Sequence, residues 1–418
     1  VERKPVRGIA PLVLFWAMAG ACHAQSGAVV CRDGTGNFEA GFATGVTVQA
    51  GAARREGLAT RACEGMLEWD KGKLVVATAV AQVDIDAVGI DLGLGSPVVS
   101  FQVKKANADC CMTLQIYSLH RPPKLLRTIN GGSFFNTADT DLDGQIEIWT
   151  KDAVALEGLR SAETGAPEIA PTVVLRFVRG RLLDVGSEFQ GYFDNEIAKV
   201  RSELDAEQLR DFKDSSGRLP PTAHFSAEDL RHSENLERTK AKVLQIIWAY
   251  LYSGREEKAW NSLTELWPAA DVDRIRAAIS SARARGIRAQ VDGVSANVSS
   301  GAQKATEVVD ARTLRSVQSE IKFAGQRVEA KGLGVVLPAP ILIGRELPEG
   351  QSEETLPNSE ILLDLLIDSA GKVRSAESND PLFDSSLRSS TARWKFVPAL
   401  RASRAVACRI YFIVSPKR

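Results

Sequence analysis

The chain has little of what catalysis and nucleic-acid binding usually require. Four histidines and three methionines in 418 residues leave small scope for a histidine-rich metal enzyme or a flexible methionine groove. Charge of one sign is missing too. The 52 basic residues balance 52 acidic ones, which excludes the basic footprint of a nucleic-acid binder and a strongly acidic tail. The motifs G-x-x-x-x-G-K-[ST], H-E-x-x-H and G-x-S-x-G are absent, and with them the common phosphate, zinc and serine-nucleophile sites. Gly34-Thr35-Gly36 and Gly93-Leu94-Gly95 read as turns, and His120, His224 and His232 as surface or locally bonded side chains.

What is present is ordinary globular material. Apolar residues make up 44% and charged residues 25%, a balance that excludes wholesale disorder. At roughly 100–200 residues per domain, the length implies two to four units.

Residues 1–24 read as a secretory signal peptide. A mostly basic opening, Glu2 to Arg7, leads into the apolar run Ile9 to Ala21 and then Ala19-Gly20-Ala21-Cys22-His23-Ala24, with small residues where a signal peptidase reads them. Cleavage is expected after Ala21 or after Ala24. The run falls short of the ~20 apolar residues of a membrane span and contains Pro11. A periplasmic or secreted protein is therefore expected, soluble after signal removal. Cysteine usage agrees with export. Cys22 lies in the signal, and among Cys31, Cys63, Cys110, Cys111 and Cys408 the natural disulfide is Cys31 with Cys63, because both flank strand-like segments.

Composition then divides the chain. From 25 to 186 the β-branched runs Val46-Thr47-Val48, Lys73 to Thr78, Ser100 to Val103 and Thr172 to Phe177 alternate with turn signals, which predicts a β-rich domain, either a sandwich or a partial propeller. Val83-Asp84-Ile85-Asp86 alternates, so its acids are expected on a solvated strand face. From 187 to 290 the period becomes helical. Leu236, Val243, Ile247, Tyr250 and Leu251 form one stripe that ends at Gly254, and further helices carry Ala259, Trp260, Leu263 and Leu266, then Val272, Ile275 and Ile279. Arg274, Arg276, Arg283, Arg285 and Arg288 are expected on a solvated face. From 291 to 357 large apolar residues thin out and prolines gather, which predicts a linker with a short helix around Ala311–Ile321. The last unit, 358–418, is compact. The fold class expected is multidomain α+β.

Two places carry chemistry. In Asp139-Thr140-Asp141-Leu142-Asp143-Gly144-Gln145-Ile146-Glu147, acids at alternate positions precede a glycine, a spacing that lets a loop wrap oxygens around a hard cation. A plain acidic turn between strands has the same string. The segment resembles the calcium loop of an FG-GAP (VCBS) repeat. That resemblance implies side-chain ligands from Asp139, Asp141, Asp143 and Glu147, a backbone carbonyl from Gln145, and a structural calcium ion.

At the C-terminus, a strand Ile361 to Ile367 and the turn Asp368-Ser369-Ala370-Gly371-Lys372 precede a return from Val373. A short helix then leads to Trp394-Lys395-Phe396-Val397-Pro398-Ala399 and a final strand. This order and its W-x-F-x-P-A string resemble the TonB C-terminal domain over about Ser359–Val414. The resemblance implies that Trp394, Phe396 and Pro398 hold the fold. It also implies that the closing strand, through Ala405, Val406, Cys408, Ile410, Phe412 and Val414, receives an extended partner peptide, for example from an outer-membrane receptor, by strand addition. The spacing Gly254, Ala259, Leu263, Leu266 resembles a single tetratricopeptide hairpin. The function expected is that of a non-enzymatic envelope interaction or scaffolding protein with no nucleic-acid partner. The alternatives are a calcium-assisted hydrolase or glycan-binding protein acting through the β-rich domain, and a TonB-type energy transducer.

Overall fold

The computed structural model describes residues 29–55, 58–106, 111–156, 169–215, 227–295, 308–312, 329–330, 332–342, 361–380, 383 and 385–414. The signal segment lies outside them, as does the helix expected around Ala311–Ile321 beyond Arg312. The fold is mixed α+β, with several sheets and, among the described residues, six α-helices.

Asn37–Gly41, Thr47–Arg55, Leu58–Trp69 and Gly72–Val80 form an antiparallel meander. It faces a five-stranded sheet ordered Cys31–Arg32, Gln82–Ile90, Val98–Lys104, Met112–Ser118, Leu125–Gly132. Alternation puts Val48, Ala50 and Leu67 of the first sheet and Val83, Ile85, Val99 and Phe101 of the second into one shared core. The disulfide Cys31–Cys63, the pairing the sequence predicts, ties one sheet to the other. Cys111 is also disulfide-bonded, and Cys408 is a buried free thiol.

The far side of the five-stranded sheet is buried as well. Ile90, Val98, Leu114 and Ile116 join a second core with Ile148, Val174 and Leu175, and with Val243, Ile247 and Trp248 from the helices. The β-rich and helical zones therefore share one apolar interior across the boundary expected at residue 186. A third sheet runs Asn136–Ala138, Glu147–Lys151, Thr172–Val178, Arg181–Asp184, Gly293–Val294. Its last strand pairs in parallel with Leu183 and Asp184 after the chain has completed its helical excursion.

That excursion consists of α1 (Gln190–Ser202), α2 (Ala206–Asp214), α3 (Ala227–Tyr252), α4 (Glu256–Leu266) and α5 (Val272–Arg285). Asp205 caps α2, its carboxylate accepting from Glu207 N and Gln208 N. Gly254, at φ +78°, makes the turn from α3 to α4 that the sequence places there. Of the arginines on and just after α5, Arg274, Arg276 and Arg285 are exposed, as expected, while Arg283 and Arg288 are half-buried, and most have a partner. Arg274 pairs with Asp271, Arg276 lies over the Trp260 ring, Arg283 donates to Leu251 O, and Arg288 pairs with Asp184. The first three guanidinium groups thereby cover a helix end or an aromatic face, and Arg288 ties the helical part to the strand Arg181–Asp184.

The stretch expected as a linker is corrected by the fold. Among its described residues are the short strands Gly293–Val294, Val309–Asp310, Glu329–Ala330, Val335–Val336 and Ala339–Leu342. Three of these, Val309–Asp310, Val335–Val336 and Ala339–Leu342, pair with the C-terminal unit, which supplies the burial that the segment's own composition lacks, and Glu329–Ala330 pairs in turn with Val335–Val336. In that unit Val309–Asp310, Cys408–Val414, Ile361–Ile367 and Val373–Glu377 form one sheet in that order. A sheet built on the hairpin Ala399–Arg401/Arg404–Val406 and the helix α6 (Ser385–Thr391) complete the unit.

Candidate functional site

The acidic loop joins two neighbouring strands. Ala138 is the register partner of Glu147, so the nine-residue segment 139–147 must close on itself. Leu142 at φ +59° and Gly144 at φ +83° turn the chain inward. Asp139 Oδ2 accepts from Gly144 N at 3.0 Å, Asp143 Oδ1 from Gln145 N at 2.7 Å, and Glu147 Oε2 from Thr140 N at 3.1 Å. As a result Asp139, Asp141 and Asp143 each offer an oxygen within 4.8 Å of the others. Of the five residues nominated from sequence, these three come together. Glu147 turns its other oxygen to Arg176, and the Gln145 side chain donates to Asp143.

Crowding three carboxylates has an electrostatic cost. Burial, then Asp143 and Asp139, push the Asp141 carboxyl up to about 6. Burial also raises Asp139, whose Oδ1 is enclosed without a hydrogen-bond donor. A hard divalent cation would offset both effects, since it supplies the charge and the missing partner together. Beneath the loop, Arg176 lies between Glu147 at 3.0 Å and Glu188 at 2.7 Å, all three buried. Burial pushes Glu147 up while Arg176 pulls it back.

The C-terminal unit sits directly on this loop. Its Asp368 caps its own turn, accepting from Ala370 N and Lys372 N, and also accepts from Asp139 N at 3.2 Å. Ser369 Oγ donates to Asp139 Oδ2 at 2.7 Å, and Arg374 reaches Thr140 O at 3.4 Å. Alongside, Lys372 pairs with Asp86, and Lys395 stands 3.5 Å from Asp84. Asp86 also accepts from the backbone and hydroxyl of Thr137.

This overturns the solvated strand face expected for Val83 to Asp86. Asp84 is 0% and Asp86 4% exposed. The alternation is real, with Val83 and Ile85 in the first core, but the acidic face is covered by a second unit that brings two lysines to meet it. Burial raises Asp84 to about 6 against the pull of Lys395, lowers Lys395, and raises Asp368 to about 7. Sequence reasoning missed Lys372, Lys395, Asp368 and Ser369 as a group. The available signal was a lysine set between Trp394 and Phe396, a charged side chain in an otherwise apolar strand.

The closing strand also differs from expectation. Ala405 and Val406 do not lie on it. They pair with Leu400 and Ala399 in a hairpin whose turn residues, Ala402 and Ser403, have positive φ. Cys408–Val414, which carries Ile410 and Phe412, is an inner strand. Ile361–Ile367 flanks it along its whole length, and on the other side Val309 and Asp310 pair with Cys408 and Arg409. The ladder there is backbone to backbone, Val309 N to Ala407 O at 3.0 Å and Ala311 N to Arg409 O at 2.8 Å. The molecule's own chain thus occupies the edge expected for a partner at that end. Arg312 clasps the segment by pairing with both Asp310 and Asp364. Behind the sheet, Trp394 and Phe396 pack edge-on against Phe412 at 5.8 and 5.7 Å, and Pro398 is buried beside them.

Comparison of the chain with protein-family models, with curated proteins and with solved structures finds no match. Among the described residues no helix is long and apolar enough to cross a membrane.

Proposed function

We propose that the chain is a non-enzymatic interaction protein of the bacterial cell envelope. In this reading its TonB-like C-terminal unit accepts an extended segment by strand addition, and the N-terminal sheets and helices form the base on which that unit is mounted. The observation that carries the reading is the ladder between Val309–Ala311 and Ala407–Arg409. A two-residue strand pairs there through its backbone, the chemistry by which an extended peptide is received irrespective of most side chains. The partner class is a protein with an exposed extended segment, such as an outer-membrane receptor, which takes the place of Val309–Ala311 at the same edge.

The test uses the full chain and a synthetic peptide of its own residues 306–314. Val309→Pro with Ala311→Pro removes the two N–H donors of the ladder. The doubly substituted chain, checked for native circular dichroism, binds the peptide in calorimetry and the unsubstituted chain does not. A folded variant that ignores the peptide rules out strand acceptance. Equal binding by both chains rules out an edge already filled.

The acidic loop is read as a structural calcium site within the same protein. This is supported by the convergence of Asp139, Asp141 and Asp143 and by the enclosed, donorless Asp139 Oδ1. A rise in unfolding temperature on adding calcium to the chelator-treated chain, abolished in Asp141→Asn, is the expected result.

A further inference from the structure

Asp139 has two roles that are usually separate. Its carboxylate belongs to the acidic cluster, while its backbone and the same carboxylate hold the C-terminal unit. We infer that divalent-cation binding in the 139–143 loop and docking of the C-terminal unit on the N-terminal sheets are coupled, each strengthening the other. The inference rests on the calcium reading above and adds to it a regulated joint between two parts of the chain.

The coupling follows from how the oxygens are shared. Asp139 Oδ2 is already used twice, by Gly144 N inside the loop and by the Ser369 hydroxyl from the other unit. Oδ1 is enclosed and has no donor, and Asp139 as a residue is 1% exposed. The ligand position left for a cation is therefore on the same carboxylate that receives Ser369. Without a cation, three neighbouring carboxylates repel, and any rotation of Asp139 away from Asp141 and Asp143 relieves part of that repulsion. Such a rotation breaks the Ser369 contact. It also disturbs the adjacent backbone, where Asp139 N meets Asp368 and Thr140 O meets Arg374.

With a cation bound, the carboxylate is fixed in the rotamer that Ser369 needs. The reverse holds by linkage: Ser369 orients a ligand before the ion arrives, and whatever factor the ion adds to docking, docking adds to ion affinity. The remaining contacts of the seat, Lys372 with Asp86 and Lys395 with Asp84, lie on the strand Gln82–Ile90 and do not touch the loop's three acids. They hold the unit in register while the loop sets how firmly it closes.

The test titrates calcium chloride into the chelator-treated full chain by calorimetry and follows amide exchange across residues 361–377. In the unsubstituted chain calcium binds and slows exchange at Asp368–Lys372. Ser369→Ala loses a hydrogen bond to a charged acceptor, so its calcium affinity falls on the order of tenfold. Arg374→Ala, at an exposed position, gives a smaller fall in the same direction. Asp141→Asn keeps every contact to the C-terminal unit but loses calcium, and its exchange no longer responds to the ion. If calcium binds the unsubstituted chain and Ser369→Ala equally, and exchange at 368–372 ignores the ion, the coupling is overturned while the cation site stands. If calcium does not bind the unsubstituted chain at all, the cation reading fails and the coupling fails with it.

Discussion

The Ser369 hydroxyl donates to Asp139 Oδ2 at 2.7 Å although 230 residues separate the two in the chain. Both residues are buried, so this polar contact forms where water is excluded and its geometry is held from both sides. Around it the two units meet through charge matched to charge, Asp84 and Asp86 on one side and Lys372 and Lys395 on the other. Apolar contact across the seat includes a small cluster of Ala339 and Val397 with Phe42 and Ile341, and Ala370, which packs into the second core. A seat of this kind depends on every partner being present.

Among the described residues, Arg176 is the cation paired with two buried carboxylates, Glu147 and Glu188. Arg176→Met strands both, and the expected loss of stability at pH 7 is about 3–5 kcal/mol, read from urea unfolding. Arg176→Lys recovers part of it, because an ammonium keeps the charge but cannot fork between two acids. A loss under about 1 kcal/mol in Arg176→Met would show that the trio contributes no more than a surface pair.

The Cys31–Cys63 bridge closes a separation of 32 residues between two sheets. Replacing both cysteines by serine is expected to lower stability by about 3–4 kcal/mol through the freed unfolded chain. The urea midpoint measures this. The thiol of Cys408, being buried, stays unreactive towards a thiol reagent until the protein unfolds.

Stability in chelator is expected to rise as pH falls from about 8 to about 4. Folded Asp368 holds its proton to about 7, and Asp84 and Asp141 hold theirs to about 6. An unfolded aspartate lets go near ~3.9, so through this window the folded state binds more protons and is favoured by acid. Below about 4 the unfolded chain protonates too and the gain ends. There Asp310, held down at about 2 by Arg312, begins to lose its stabilising charge. Unfolding temperature against pH measures the trend, and calcium is expected to flatten it by favouring ionised Asp141. A fall in stability over the same window would contradict the burial of these acids.

Gly371 turns the chain at φ +79°, and a Cβ there would lie 1.9 Å from Phe396 O. Gly371→Ala pushes the Asp368–Lys372 turn off the Trp394–Val397 segment and breaks the bond from Phe396 N to Gly371 O. A loss of about 1–3 kcal/mol is expected from the strained backbone alone. Faster proteolysis within 361–414 than elsewhere is the readout that places the damage in this unit.

Local periodicity made much of the fold legible. The apolar stripe of α3, its end at Gly254, and the alternation of Val83 and Ile85 all appear where residue spacing puts them. Cys31 and Cys63 were legible because strand-like runs flank both. What could not be read was which surface lies on which. Alternation separates Asp84 from Ile85 but does not say that Lys395, far along the chain, covers the acidic side. The same limit applies to Val309–Asp310. Two residues carry no pattern of their own, and only the backbone of Cys408 and Arg409 makes them a strand. Within the acidic loop, the spacing located three converging carboxylates, whereas Glu147 was claimed by Arg176 from a strand that the motif does not include.

The parallel pairing of Gly293–Val294 with Leu183–Asp184 implies an order of events during folding. The bond from Leu182 N to Asp292 Oδ2 spans 110 residues, so bringing its ends together early would carry a large entropic penalty. Helices α1 to α5 are expected to gather first through nearby contacts, their packing delivering both ends of the excursion to the same sheet margin. A substitution that loosens the α3–α4 turn should therefore delay completion of a sheet it never touches.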